Sequence, residues 1–244
     1  MKKIVMTLVV ASAMQVTSSI TDPLGARAQD GEQYVPPVCT GDPAAGPVKC
    51  NYQNGDNYIG GFANGVPSGR GIYVYADGAR YEGQFSNGRP NGEGVFIFAD
   101  DARYEGVFRD GNIVRGTSVF ADGSRYEGTF EIVQYVDSGE VTSQPSGQGQ
   151  FVFSNGDRYV GAFFAGQPFG QGTLTRVDGT RCQGEFFNQN LDANATCNFP
   201  NGTRYEGELR QGVPHGEGVL IDQQGRRFPG QFREGKRFNP TASN

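Results

Sequence analysis

The sequence has no tryptophan, a single histidine and little leucine, although the chain is 244 residues long. A globular enzyme of this length normally buries a leucine-rich core, and this sequence does not supply one. The chain instead has 38 glycines, about twice the usual share of roughly 7%, and 12% aromatic residues. This composition predicts many short strands joined by tight turns.

The sequence also has no apolar run long enough to span a bilayer. An apolar stretch from Ile4 to about Val16 follows two lysines and precedes Ala26-Arg27-Ala28, which fits a small-x-small cleavage site. We therefore expect residues 1–28 to be a secretory signal peptide, with a retained amphipathic N terminus as the alternative. Residues 29–37 would then form a flexible mature N terminus. The mature protein would be periplasmic or secreted and would have no transmembrane span.

Concentrated positive charge is missing as well. The formal charge is −5, and removal of residues 1–28, which contain three basic residues and one acidic residue, would bring it to −7. Nucleic acids and anionic bilayers favour proteins with concentrated positive charge. An acidic chain of this kind argues against a nucleic-acid partner.

The clearest feature present is an internal repeat that begins with Tyr-x-Gly or a variant of it. Its starts lie mostly 23 residues apart, at Tyr58, Tyr81, Tyr104, Tyr126, Tyr159, Cys182, Tyr205 and Phe228. Each unit reads as a strand Tyr-x-Gly-x-Phe, a glycine-rich link, an apolar strand and an Asp-Gly or Asn-Gly turn. Such dipeptides accept the positive φ that tight hairpin turns require, so each unit is predicted to be a β-hairpin.

The tyrosine, the glycine and the phenylalanine of the first strand share one face, because strand side chains alternate. The glycine leaves a slot in which a neighbouring ring could lie. One hairpin cannot bury an apolar face alone, so we assign these positions a structural role across adjacent hairpins. They are Tyr58, Tyr81, Tyr104, Tyr126, Tyr159 and Tyr205; Gly60, Gly83, Gly106, Gly128, Gly161 and Gly207; and Phe62, Phe85, Phe108, Phe130 and Phe163.

This pattern resembles the MORN (membrane occupation and recognition nexus) repeat family. The resemblance is clearest in Tyr58–Arg80, Tyr81–Arg103, Tyr159–Arg181 and Tyr205–Arg227. It implies an all-β fold: an elongated, twisted antiparallel sheet of about seven to eight successive hairpins. One domain would cover residues 38–238, with an insertion at about 131–145 and a tail at 239–244. The family is associated with tethering and scaffolding.

Three features depart from the family pattern. Arg115-Gly116 replaces the usual Gly-x-Gly, Asp101 stands where a turn glycine is usual, and the Cys182 unit has lost three glycines. The last half-unit, Phe228–Phe232, contains Pro229, which cannot donate a backbone hydrogen bond. We expect this strand to end the ladder.

The four cysteines fall into two matching pairs. Cys39 and Cys182 stand where the repeat has tyrosine, and Cys50 and Cys197 stand at the central apolar position of the second strand. These positions should face each other across a hairpin, which predicts disulfides Cys39–Cys50 and Cys182–Cys197 in an oxidising compartment. A Cys₄ metal site is the alternative, but the sequence has no Cys-x-x-Cys spacing.

Arginine precedes most repeat starts, and a row of arginines could hold phosphates. In several units a glutamate follows two residues later on the same face, as in Arg80–Glu82 and Arg204–Glu206, and would neutralise much of this charge. Arg158 and Arg181 lack that glutamate and are the candidate headgroup-binding residues. The insertion supplies a second candidate surface at Tyr135 and Val136, with neutral loop expansion as the alternative.

We find no motif for catalysis, for a cofactor or for a metal. His215 lies in a hairpin link without a nucleophile placed beside it, and we interpret it as a turn residue. The Asp-Gly turns match no calcium-binding spacing, and no phosphate-binding loop is present. Some MORN proteins are lipid kinases, but nothing outside the repeats is long enough for a kinase domain. We expect a non-enzymatic exported scaffold that binds protein. The alternatives are a peripheral phospholipid-binding protein and, less favoured, a hydrolase with paired carboxylates on the sheet.

Overall fold

The computed structural model describes residues 35–134 and 141–238. The fold is all-β, as predicted, with eighteen strands in an antiparallel sheet and no helix in the described ranges. The strands are β1 Val38–Thr40, β2 Val48–Asn51, β3 Asn57–Ala63, β4 Val66–Val74, β5 Arg80–Ser86, β6 Arg89–Ile97, β7 Arg103–Arg109, β8 Asn112–Val119, β9 Arg125–Gln134, β10 Val141–Val152, β11 Arg158–Phe164, β12 Gln167–Thr175, β13 Arg181–Phe186, β14 Ala193–Asn198, β15 Arg204–Arg210, β16 Val213–Ile221, β17 Arg227–Arg233 and β18 Lys236–Phe238.

The described residues fall into two compact units. The N-terminal unit contains residues 35–121, 129–134 and 141–144, and the C-terminal unit contains residues 122–128 and 145–238. Strands β1–β8 belong to the first and β11–β18 to the second, while β9 and β10 contribute residues to both. The described residues contain no apolar helix of the length needed to cross a membrane.

The strands make nine hairpins rather than the predicted seven to eight. The difference arises at the C-terminal end, where the expectation that Phe228–Phe232 ends the ladder was wrong. Glu234 and Gly235 adopt positive φ values of 50° and 78°, which turn the chain back so that Lys236–Phe238 pairs with β17. The pairing begins at Gln231, beyond Pro229, so the missing N–H of the proline does not interrupt it.

Most of the predicted glycine-rich link belongs to a β-strand in the structure. In the β5–β6 hairpin, Asn87 and Gly88 alone form the turn, and the second strand already begins at Arg89. Phe85 then pairs with Pro90, while Gly83 pairs with Gly94, so the single residue Gln84 faces three residues of β6. The same bulge occurs in β3–β4, β11–β12 and β15–β16. The link therefore contains a buried proline and a bulge as well as a turn.

The glycine slot is filled by the tyrosine of the same hairpin. A Cβ atom added to Gly83 or Gly94 would collide with the hydroxyl of Tyr81, which lies over both glycines. That hydroxyl donates a hydrogen bond to the Gln84 carbonyl at 3.1 Å. Equivalent contacts to the glycines occur at Tyr58, Tyr126, Tyr159 and Tyr205. Desolvation by burial raises the pKa of each of these four tyrosines to about 12, so they remain neutral.

Adjacent hairpins are joined by aromatic pairs. Tyr81 packs edge-to-face against Phe108 of the next hairpin, with ring centroids 5.1 Å apart. The same contact joins Tyr58 to Phe85 at 5.2 Å and Tyr159 to Phe186 at 5.0 Å. Pairs of this geometry contribute about 0.5–1.5 kcal/mol beyond the area they bury. Each hairpin therefore completes the core of its neighbour.

The β7–β8 hairpin is an exception, because its tyrosine is not the group nearest to the paired glycines. Its link is one residue shorter, so Phe108 pairs with Ile113 and the bulge contracts. A Cβ on Gly106 would meet the Arg115 carbonyl instead of a tyrosine hydroxyl. Tyr104 packs edge-to-face against Phe98, at 5.1 Å between centroids.

The insertion extends an existing hairpin. Residues up to Gln134 continue β9, and residues from Val141 begin β10, so these parts do not form separate short strands. Tyr135 and Val136 lie outside the described residues, as do the proposed signal peptide and the tail at 239–244.

Candidate functional site

The side chains on the buried face of the sheet pack against one another, so the exposed face is the one that is accessible to a partner. Along β11, Tyr159 and Phe163 are buried, while Arg158, Val160 and Phe164 are exposed on what we call the outer face. The outer face of β11–β14 differs from that of the other hairpins at both ends of its strands.

At the turn end lie three exposed phenylalanines, Phe164, Phe169 and Phe187, which we call the phenylalanine patch. Their exposed fractions are 60%, 49% and 41%, and the ring centroids of the first two are 5.9 Å apart. The register, in which Phe163 pairs with Pro168 and Gly170 with Phe186, places the three at the same end of β11, β12 and β13.

The repeat itself does not require these phenylalanines. Outside β11–β14, the positions equivalent to Phe164 are Ala63, Ser86, Arg109, Glu131, Arg210 and Arg233, and those equivalent to Phe169 include Ser68, Asn91 and His215. Our sequence reasoning missed the patch, although comparing the aligned units position by position would have revealed it. Because most exposed positions of a repeat are polar, three neighbouring aromatic replacements indicate a specialised surface.

An open cleft of about 410 Å³ lies beside the patch. It is lined by Phe187, Asp192, Ala193, Asn194, Glu208, Leu209, Arg210 and His215. The prediction that His215 is a turn residue was wrong, because it lies in β16, within the bulge opposite Glu208, and its carbonyl accepts a hydrogen bond from Tyr205 at 3.2 Å. The Asp192 carboxylate accepts hydrogen bonds from the Gln211 amide and the Asn188 side chain, both at 3.0 Å.

At the opposite end of the same strands lie the two predicted arginines. Arg158 and Arg181 both pair with Thr175, so they stand two strands apart, at about 9–10 Å. Arg158 donates a hydrogen bond to the Gln150 side chain. Arg181 is exposed, and no ion pair or hydrogen bond of its side chain occurs within the described part of the chain.

The predicted pairing of arginine with glutamate occurs in some hairpins. Glu206 binds both Arg204 and Arg227, the latter at 2.8 Å. Arg125 pairs with Glu127 at 3.1 Å. Among the described residues, no such pair joins Arg80 to Glu82 or Arg103 to Glu105.

Both predicted cysteine pairs are disulfide-bonded. Cys39 is joined to Cys50 and Cys182 to Cys197, in each case across directly paired strand positions. The second disulfide is buried, with its cysteines 1% and 0% exposed, and Cys182 stands where most hairpins have a tyrosine. This disulfide therefore links β13 covalently to β14. Arg181 lies on β13, and Phe187 directly follows it.

The aspartates of the Asp-Gly turns have structural roles. Asp77 accepts a hydrogen bond from the Ala79 amide at 2.9 Å, and Asp178 accepts one from the Thr180 amide at 2.7 Å. The latter bond lowers the pKa of Asp178. No group of three or more histidines, cysteines or acidic residues lies within metal-binding reach in residues 35–134 and 141–238.

Comparison with a family model decides the class of repeat. The MORN repeat model matches residues 58–80, 81–103, 143–158, 159–181 and 205–225. The chain is a MORN-repeat protein. The matches omit β9 and four hairpins, β1–β2, β7–β8, β13–β14 and β17–β18. Of these, β7–β8 has the shortened link, and β1–β2 and β13–β14 have the cysteine pairs.

Several solved structures match the chain at low identity, and they include two TCP domains. One is the SAS-4 (dCPAP) TCP domain of Drosophila melanogaster in complex with a proline-rich motif of Ana2 (dSTIL). It is 15% identical, with a TM-score of 0.42, and the match covers 75% of this chain and 96% of that chain. The other is the TCP10 domain of Danio rerio CPAP in complex with a peptide of STIL, at 12% identity and a TM-score of 0.30, covering 80% and 99%. No curated protein matches the sequence significantly.

Proposed function

We propose that this MORN-repeat protein is a non-enzymatic, exported scaffold that binds a protein partner through the outer face of β11–β14. The observation that carries the proposal is the phenylalanine patch, with Phe164, Phe169 and Phe187 between 41% and 60% exposed. Exposed neighbouring aromatics leave apolar surface in water, and protein interfaces use such side chains as central anchors.

Export is supported by the cysteine chemistry. Two disulfides and no free cysteine are present among the described residues, and disulfides persist in oxidising compartments. The signal-peptide pattern of residues 1–28 points in the same direction.

Phospholipid-headgroup binding is the second candidate function. It is favoured by one observation, the exposed Arg181 side chain, which has no ionic partner in the described residues. A phosphate could approach Arg181 and Arg158 together, since both flank Thr175. Tyr135 and Val136 of the insertion remain proposed contacts for a protein partner.

Site-specific photo-crosslinking in the exporting cell tests the proposal. A benzophenone side chain is introduced at Phe164 or, as the matched control, at Ile59, an outer-face residue that is 39% exposed. We expect a defined protein adduct from position 164 and none from position 59. Equal adducts at both positions, adducts to lipid only, or no protein adduct would contradict binding through the patch.

A further inference from the structure

Two consecutive hairpins depart from the repeat in the same two respects. Where β5, β7, β9 and β15 have glutamate two residues after the arginine, β11 has Val160 and β13 has Gln183. β17 also lacks this glutamate, but its Arg227 forms an ion pair with Glu206 of β15. Five residues after the repeat start, Phe164 ends β11 and Phe187 directly follows β13. Both hairpins have therefore lost an acidic side chain at one end and gained an aromatic ring at the other.

The geometry separates these two features by a fixed distance. Arg158 and Phe164 are six residues apart on β11, as are Arg181 and Phe187 on β13 and just beyond it. Six residues of strand span about 20 Å. Because β11 and β13 are both antiparallel to β12, they run in the same direction. The two arginines consequently lie at one end of the surface and the patch at the other.

Two carboxylates lie close in sequence to the arginines, and both accept hydrogen bonds within turns. Asp157 accepts hydrogen bonds from the Val177 amide at 3.0 Å and from the Asn155 side chain at 3.1 Å. Asp178 accepts its bond from Thr180. Neither carboxylate forms an ion pair with Arg158 or Arg181 among the described residues. Two neighbouring guanidinium groups without an ion-pair partner attract an acidic ligand, on a chain whose formal charge is −5.

We infer that the bound segment of the partner is an extended peptide in which an acidic residue and an aromatic or large aliphatic residue lie about five to seven positions apart. The acidic residue contacts Arg158 and Arg181, because a guanidinium group matches a carboxylate with two parallel hydrogen bonds. The apolar residue packs on the phenylalanine patch. Extended chains advance about 3.3 Å per residue, so this spacing matches the 20 Å separation. The inference rests on the proposed function, since it specifies the partner of the same surface.

Selection from a displayed library of random 12-residue peptides tests the inference on the full-length exported protein. We expect selected peptides to be enriched in Asp or Glu at five to seven positions from Phe, Tyr, Trp, Leu or Ile. Enriched peptides are then synthesised, and their affinity is measured at low salt for the wild type and for R158Q/R181Q. The matched control is R204Q/R227Q, which removes the same charge from two arginines that Glu206 already engages.

The R158Q/R181Q variant should bind the peptides roughly 5- to 30-fold more weakly and lose most of the salt dependence of binding, while the affinity of the control should change less than about twofold.

Equal binding by R158Q/R181Q, or a selected pool without acidic enrichment, overturns the inference. If binding is also unaffected by F164S/F169S/F187S, the proposed function fails as well. If only that variant abolishes binding, the patch is a protein site without acidic selectivity. Arginine-dependent sedimentation with phosphatidylglycerol vesicles, without peptide selection, would assign the site to lipid and overturn both.

Discussion

Replacement of Gly94 by alanine tests how the tyrosine and the paired glycines depend on each other. A Cβ at this position would overlap the Tyr81 hydroxyl and ring, and Tyr81 is 0% exposed, so the ring has no free space into which it can move. Overpacking of this kind costs about 1–3 kcal/mol. For a chain of this length, about 1 kcal/mol lowers Tm by roughly 2–4 °C.

The same change is expected to cost little once the ring is absent. In a Tyr81→Ala background, the methyl group introduced by Gly94→Ala occupies space that the ring has left, so its added cost should be below about 0.5 kcal/mol. The double-mutant cycle then gives a coupling energy of about 1–2 kcal/mol, to be measured by urea denaturation followed by circular dichroism. Gly46→Ala is the control, because no atom lies within 4 Å of a Cβ at that position. Additive effects of the Gly94 and Tyr81 changes would refute the packing argument.

The remaining predictions concern titration, cross-linking and processing. The contribution of the buried tyrosines to stability should be constant below about pH 10, and stability should fall as the pH rises from 10 towards 12, because the folded state holds these tyrosines protonated to a pKa of about 12, against an ordinary value of 10.0. Unfolding free energies that do not decline above pH 10 would contradict this. The C182A/C197A variant should lose about 2–3 kcal/mol of stability, measured by denaturation, and non-reducing peptide mapping should recover no cross-link between the two cysteine pairs. Mass spectrometry of the native protein should place the N terminus at or near Gln29, and an intact Met1 would disprove cleavage.

The local pattern was sufficient to predict the hairpins. The return of Tyr-x-Gly-x-Phe after 23 residues, together with Asp-Gly and Asn-Gly turns, specifies strands, turns and one apolar face without any knowledge of long-range contacts. The cysteine pairs followed from the same alignment, because the tyrosine position of the first strand faces the central apolar position of the second strand across a hairpin. These features depend on residues close together in sequence.

Other features were decided by tertiary contacts. The pairing of two strands determines the bulge in β5–β6, where three residues face Gln84. It also determines the smaller bulge beside Val107 in β7–β8. Inter-strand register likewise places Arg158 and Arg181 on either side of Thr175. It also brings the three phenylalanines to one end of β11–β13. Sequence period fixes which side chains share a face of one strand. Only hydrogen bonding between strands fixes which of them become neighbours, because a shift in pairing would bring together a different set of side chains.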